Sequence, residues 1–168
     1  LRSAYANGAR PEAVIDEVFT RLKAVNDPGI FIHLCDQEDL RAEALALGTF
    51  DPDLPLWGIP FAVKDNIDAA GIPTTAACPA YAYTPQSDAV VVANLRAAGA
   101  LLVGKTNLDQ FATGLVGVRT PYGAPLIAID PEIVPGGASG GSGVVVGLGI
   151  VTVSLGTDSA GCGRVPAE

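Results

Sequence analysis

The 168-residue sequence predicts an α/β layered domain. Amphipathic helical segments alternate with short β-branched apolar runs, and glycine and proline residues separate these segments. Hydrophobic residues make up 49% of the chain, which is enough for a substantial core. A chain of this length forms one compact domain and is too short for two ordinary ones. We therefore expect a single domain over 1–168, with an N-terminal helical region at 1–56 and a core at 57–168.

The first predicted helix covers residues 11–25. Pro11 suits the first turn of a helix, where its missing N–H is not needed. Apolar residues recur at helical spacing along this segment, namely Val14, Ile15, Val18, Phe19 and Leu22. Residues 27–35 then have the pattern of a turn followed by a short strand.

A second helix is predicted over residues 36–48. Asp36 has the short acceptor side chain of an N-cap, and Gly48 is placed to end the helix. A proline-rich connector follows at 50–60. Residues 61–68 then have the pattern of a strand that ends in a polar turn.

The segment 87–114 predicts a helix followed by a buried strand. Ser87 or Asp88 is expected to cap the helix, and Gly99 is expected to end it. The apolar run at 100–105 is typical of a strand buried on both faces.

The C-terminal part is rich in turns from 120 to 143 and apolar from 144 to 156. The apolar segment fits either a glycine-containing helix followed by a strand or one long β segment. Periodicity does not separate the two, and we favour the helix followed by a strand.

Charge and cysteine content restrict the class of partner. The formal net charge is −8, which argues against nucleic acid or an anionic membrane, because both require a cationic face. Three cysteines, Cys35, Cys78 and Cys162, show no CxxC spacing and accompany one histidine, His33. We therefore expect neither a disulfide framework nor a zinc site. The cysteine usage instead favours a reducing, cytoplasmic compartment. The N-terminal residues lack the apolar core of a signal peptide.

Lys64 lies inside an apolar run, in "GIPFAVKDN". Burial of an unpaired ammonium is costly and lowers its pKa. A lysine that acts as a base near pH 7 needs its pKa lowered by roughly three units from about 10.4. The alternative is a lysine at a strand end whose head reaches water or pairs with Asp65 or Asp68.

Two glycine-rich turns are the other candidate sites, at 135–143 and 156–164. Small residues precede Cys162 in the second turn, so its backbone N–H groups can converge on one point, as in an oxyanion hole. The alternative is an ordinary turn between a strand and a helix. The first turn lacks both glycine patterns of nucleotide-binding loops.

Together these elements resemble the amidase signature family, whose members hydrolyse amides with a Ser–Ser–Lys triad. The stretches that carry the resemblance are "GIPFAVKDNID", "GIPTTAACPAYAYTP", "GALLVGKTNLDQFATGLVGVRTPYGAP" and "GTDSAGCGRVPA". It extends over essentially the whole chain. It implies a helix-flanked mixed β-sheet that is the N-terminal portion of an amidase domain, a small-molecule amide substrate, and no metal or organic cofactor.

The resemblance implies a role for each matching residue. Lys64 stands at the general base and Cys162 at the nucleophile, where the family has serine. Ala138 stands where the family has its bridging serine. The remaining matches are Ser139 beside that position, the substrate and oxyanion turn Ser159, Ala160 and Gly161, and the pocket wall Thr113 and Gly114.

The two departures from the triad have different consequences. A thiol at position 162 is partly ionised near neutral pH, so nucleophilic attack can survive. A methyl group at position 138 removes the hydroxyl that relays protons from Lys64, so the departure of ammonia should suffer most. The resemblance favours a branch of the family that splits a small anionic urea derivative into ammonia and carbon dioxide. The alternatives are an amidotransferase component that acts on charged tRNA, and a non-catalytic fragment or inactivated variant of the fold. The sheet edge is expected to be uncovered, and a second copy or a complementing chain is the expected partner there.

Overall fold

The computed structural model describes residues 1–127, 130 and 132–167. Nine regular elements follow one another in the described part of the chain: α1 (Arg2–Ala6), α2 (Pro11–Val25), β1 (Phe31–Leu34), α3 (Gln37–Ala46), β2 (Pro60–Lys64), α4 (Val90–Ala97), β3 (Leu101–Thr106), α5 (Gly140–Gly147) and β4 (Val153–Leu155). Short 3₁₀ helices lie at Pro79–Tyr81, Gln110–Ala112 and Val165–Ala167. None of the helices described is long and apolar enough to span a lipid bilayer.

The four strands form one mixed sheet in the order β1-β3-β2-β4. Strand β1 is antiparallel to β3, and β2 is parallel to both β3 and β4. Every residue of β2 and β3 is buried, as expected for central strands covered on both faces. The predicted mixed α/β fold is therefore confirmed, and β1 joins the first 56 residues to the same sheet.

Side chains of the central strands alternate between two cores. Ala62 and Val103 face a cluster built with residues of α2, α3 and α5. Phe61, Val63 and Leu102 face a second cluster, which includes Val92 of α4 and Ala69. This alternation has the period of two that a pleated strand imposes. Lys64, at the end of β2, lies where the sheet meets the turns that follow it.

Local signals placed both ends of α2 and the start of α3 correctly, whereas α1 was not predicted. Helix α2 begins at Pro11, and the Asp36 carboxylate caps α3 by accepting hydrogen bonds from two backbone N–H groups. The predicted cap of α4 is wrong. Ala89 is its N-cap, and no side chain caps it. Asp88 instead accepts a hydrogen bond from the N–H of Ala70 at 2.7 Å, so a contact distant in sequence has taken its carboxylate.

Helix α5 begins inside the segment that was predicted as a turn. It starts at Gly140 and is followed by strand β4, which confirms the helix-then-strand interpretation. Glycine is an unfavourable helix residue, but close packing requires it here. A Cβ atom at Gly141 would lie 2.6 Å from the carbonyl oxygen of Ile30 and 2.7 Å from the backbone nitrogen of Asn107.

Candidate active site

The Lys64 side chain is fully buried at the end of β2. Its Nζ atom donates to Ser139 Oγ at 2.9 Å and to Thr157 Oγ1 at 2.7 Å. Burial lowers the pKa of this amine from its ordinary value. The acidic groups that oppose this shift belong to Cys162, Asp109 and Asp158. Lys64 therefore does not reach water, and its neighbour Asp65 pairs with Lys105 instead.

The two glycine-rich turns lie directly against each other. The N–H of Ser139 donates to the carbonyl oxygen of Cys162 at 3.0 Å. A Cβ atom at Gly137 would lie 2.7 Å from that same oxygen, and one at Gly156 would lie 2.9 Å from Ser139 Oγ. Glycine at these two positions is what allows the backbones to approach. The contact brings residue 139 and residue 162 to the end of β2.

Ser139 supplies the hydroxyl group that meets the lysine. Its Oγ accepts from Lys64 and donates to the carbonyl oxygen of Thr157 at 3.1 Å. Ala138, which occupies the predicted bridging position, is completely buried and brings only a methyl group. Lys64 thus bonds to a hydroxyl group at position 139, one residue after position 138, where the resemblance places the bridging serine.

Cys162 is buried, with 3% of its surface exposed. Its thiol donates to the carbonyl oxygen of Thr157 at 3.3 Å, and its Sγ accepts from the N–H of Ser159 at 3.4 Å. Burial acts to raise the pKa of the thiol, but the N–H groups of Ser159 and Ala160 and the charge of Lys64 lower it, and the net shift is downward. The environment therefore favours the thiolate, which is the nucleophilic form.

The turn before Cys162 is held by Asp158. Its carboxylate accepts from the N–H of Gly161 at 2.7 Å and from Nε of Arg164 at 2.9 Å. These bonds, with that of Arg164 the strongest, keep the pKa of Asp158 below its ordinary range. Of the predicted oxyanion donors, Ser159 directs its N–H at the sulfur, and Gly161 directs its N–H at Asp158. The N–H of Ala160 contributes to the lowered pKa of the thiol.

The predicted pocket wall, Thr113 and Gly114, contacts the residues just before it in the chain. The hydroxyl of Thr113 donates to the carbonyl oxygen of Gln110 at 2.9 Å. Gly114 lies so close to the Asp109 carboxylate that a Cβ atom there would overlap it. Among the described residues, no hydrogen bond joins Thr113 or Gly114 to Lys64 or Cys162. Their connection to the site runs through Asp109, whose negative charge acts on Lys64.

Thr157 is the site residue that sequence reasoning missed. Its hydroxyl accepts from Lys64 and, at 3.4 Å, from Nδ2 of Asn66. Its carbonyl oxygen accepts from Ser139 and Cys162. The signal in the sequence is its place directly after Gly156, in the second glycine-rich turn. A threonine there can present both its hydroxyl and its carbonyl group to the site.

A cavity of about 300 Å³ adjoins Ser139 on the side of β4. Gly156 and Gly163 of the second turn also line it. Two larger cavities, of about 530 and 550 Å³, lie on either side of α2, away from the lysine and the cysteine.

In the described part of the chain, no three His, Cys, Asp or Glu side chains are grouped to hold a metal ion. His33 lies on β1, opposite Lys105 of β3, and not in the second glycine-rich turn with Cys162.

The fold and the site together define a class of protein, and the comparisons agree: the chain belongs to the amidase family, whose model matches residues 13–168. The urea amidolyase of Saccharomyces cerevisiae is 65% identical over 114 residues, which are 68% of this chain and 6% of that protein. The allophanate hydrolase of Kluyveromyces lactis superposes with a TM-score of 0.85 at 49% identity, over 99% of this chain and 28% of that one.

A third relative comes from another branch of the family. This protein, a component of the glutamyl-tRNA(Gln) amidotransferase of Streptococcus thermophilus, is 45% identical over 158 residues, which are 93% of this chain and 32% of that protein. The chain thus spans about a third or less of the length of each of these relatives.

Proposed function

We propose that this chain is the N-terminal portion of an amidase domain that hydrolyses the amide C–N bond of allophanate in the cytoplasm. One observation carries the proposal: the buried Lys64 amine and the Cys162 thiol share the hydrogen-bond network around Thr157. A desolvated amine beside a nucleophile stabilised as its anion is the pairing that acyl transfer needs. The names of two relatives, urea amidolyase and allophanate hydrolase, supply the substrate.

In the proposed reaction, the Cys162 thiolate attacks the carbonyl carbon and forms a C–S bond. Negative charge moves to the carbonyl oxygen, which replaces the sulfur as the acceptor of the Ser159 and Ala160 N–H groups. The intermediate collapses with cleavage of the C–N bond and release of ammonia. Water then cleaves the thioester, which yields the carboxylate product and restores the thiol.

Lys64 is the base in this proposal. A neutral amine has two N–H bonds and one lone pair. Lys64 directs donors at Ser139 and Thr157, which leaves the lone pair to accept the proton of the Cys162 thiol. This transfer forms the attacking thiolate and a neighbouring ammonium group together. That proton must later reach the departing nitrogen, because ammonia leaves slowly from an unprotonated intermediate. With a methyl group at Ala138, this delivery is the slow step.

The same fold also supports a second candidate, an ammonia-transferring amidotransferase component that acts on a charged tRNA. The observation in its favour is the 45% identity to an amidotransferase protein over 93% of this chain. A non-catalytic form of the fold is the remaining alternative, and Ala138 favours it. In that case we expect a second copy or another chain to cover the exposed edge of β4, where Val153 is accessible.

The experiment uses a chimera in which this chain replaces the matching portion of the Kluyveromyces lactis allophanate hydrolase. Ammonia release is measured with allophanate and with glutamine, both in the chimera and in its Ala138→Ser/Cys162→Ser variant, which restores the serines of the family triad. We expect release from allophanate, and faster release in the variant. Release from glutamine alone would favour the amidotransferase, and no release from either compound by the restored variant would favour the non-catalytic form.

A further inference from the structure

A second buried lysine forms an ion pair that the proposed chemistry does not use. Lys105 Nζ lies 3.3 Å from Asp65 Oδ1, and both side chains are fully buried. Burial lowers the pKa of Lys105, and Asp65 opposes that shift. A buried pair gains little net stability over apolar packing, because both ions lose their hydration. The presence of this pair therefore needs an explanation other than overall stability.

The pair holds two consecutive threonines in the loop after β2. The second carboxylate oxygen of Asp65 accepts from the Thr75 N–H at 2.9 Å and from the Thr75 hydroxyl at 2.5 Å. Lys105 donates to the Thr74 hydroxyl at 3.0 Å. These bonds fix the backbone just before a segment of unusual conformation.

That segment is one of two left-handed segments that support each other. Ala76 and Ala77 have φ angles of 50° and 56°, and Phe111 and Ala112 have 52° and 55°. Such angles are costly for residues other than glycine, so surrounding contacts must maintain them. The N–H of Phe111 donates to the carbonyl oxygen of Ala76 at 2.9 Å, and Nε2 of Gln110 donates to that of Ala77 at 3.2 Å.

The second segment continues into the site. Residues 110–112 lead directly to Thr113 and Gly114, and Gly114 packs against the Asp109 carboxylate. The charge of Asp109 in turn acts on Lys64. An unbroken series of contacts thus runs from the Asp65–Lys105 pair through both left-handed segments to the predicted wall of the substrate pocket.

We propose that Asp65 and Lys105 are positioning residues that hold residues 75–77 and 110–114 in the conformation that binds the substrate. Asp65 follows Lys64 in the chain, but among the described residues no hydrogen bond joins the side chains of the pair to the Lys64 amine or to the Cys162 thiol. The pair therefore acts on substrate binding more than on the chemical step. This assignment rests on the proposed amide hydrolysis. The part of the assignment that concerns structure, namely that the pair maintains the two left-handed segments, depends only on the contacts described above.

Three variants test the assignment. Asp65→Asn and Lys105→Met each remove one charge, and Thr75→Val removes one hydroxyl while the ion pair stays in place. Asp16→Asn is the matched control, because it removes a carboxylate that pairs with Arg41 between α2 and α3. Hydrogen exchange is measured at residues 75–77 and 110–112, alkylation by iodoacetamide at Cys162, and KM and kcat for ammonia release from allophanate.

We expect exchange in the two segments to rise about tenfold in the three test variants and to stay unchanged in the control. KM should rise about tenfold, while kcat and the alkylation rate stay within about twofold, because the reacting groups do not move. Unchanged exchange in folded Thr75→Val and Asp65→Asn would overturn the assignment, as would a fall in kcat at constant KM. If neither the chimera nor its Ala138→Ser/Cys162→Ser variant releases ammonia from allophanate, the proposed function fails, and exchange alone decides the role of the pair.

Discussion

The Lys64 amine and the Cys162 thiol both bond to Thr157. Lys64 Nζ lies 2.7 Å from the Thr157 hydroxyl oxygen, and Cys162 Sγ lies 3.3 Å from the carbonyl oxygen of the same residue. Ser139 joins this group by bonding both to Lys64 and to the Thr157 carbonyl. The amine, a hydroxyl group and the thiol therefore share one small network at the end of β2, and each of its bonds can be tested separately.

The first prediction concerns the threonine. Thr157→Val removes the hydroxyl that accepts from Lys64 but keeps the shape of the side chain. Loss of one hydrogen bond, about 1 kcal/mol, should leave the amine less fixed and slow Cys162 alkylation several-fold at neutral pH. Thr157→Ser keeps the hydroxyl and should react at close to the original rate. Equal rates for the two variants would show that this hydroxyl does not support the site.

The second prediction compares the two departures from the family triad. In the chimera described above, Ala138→Ser should raise ammonia release more than Cys162→Ser alone. The hydroxyl at position 138 restores proton delivery to the leaving nitrogen, whereas the thiol at position 162 is already a competent nucleophile. The measurement is kcat for each single variant and for the double variant. Equal or inverted effects would refute this account of the relay.

The third prediction concerns the close approach of the two turns. An alanine at Gly156 would place its Cβ 2.9 Å from Ser139 Oγ and push that hydroxyl away from Lys64. Gly156→Ala should lower the free energy of unfolding by about 1–3 kcal/mol in urea titrations. Removing the hydroxyl as well, in Gly156→Ala/Ser139→Ala, should cost less than the sum of the single changes, because the contact with Oγ at 2.9 Å is removed and only that with the residue 139 Cβ at 3.0 Å remains. A strictly additive double variant would show that the two residues do not interact.

The helices and strands were largely predictable because local rules set them. Pro11 begins α2 and Asp36 caps α3, as N-terminal helix signals require. The cap of α4 and the start of α5 were not predictable in this way. The Asp88 carboxylate accepts a hydrogen bond from the N–H of Ala70 instead of capping α4. Gly140 belongs to a helix because the next residue, Gly141, packs against the backbone of Ile30 and Asn107.

Within the site, the resemblance directed attention to the two turns, and Lys64 donates a hydrogen bond to a hydroxyl group of each. The placement of its hydrogen bonds could not be read from the sequence, because it depends on how closely residues 137 and 156 let the two loops approach. The hydroxyl of Ser139 and both oxygens of Thr157 became visible only when the loops were folded together. The assignment of Ala138 and Cys162 to their roles stays a prediction.

The most direct test of the shared network is the pH dependence of Cys162 alkylation by iodoacetamide, followed by mass spectrometry. The charged groups that act on this thiol are Lys64, which lowers its pKa, and Asp158, which raises it. Cys35 is an internal reference in the same sample, because burial raises its pKa to about 11. Lys64→Met is the test variant, and Lys23→Met, which removes an exposed lysine at the end of α2, is the control.

We expect a midpoint for Cys162 below that of an ordinary cysteine thiol and far below that of Cys35. Lys64→Met should move the midpoint upward, because the thiolate loses a neighbouring positive charge, and Lys23→Met should leave it in place. A Cys162 midpoint that Lys64→Met does not change would contradict the claim that the amine and the thiol belong to one site.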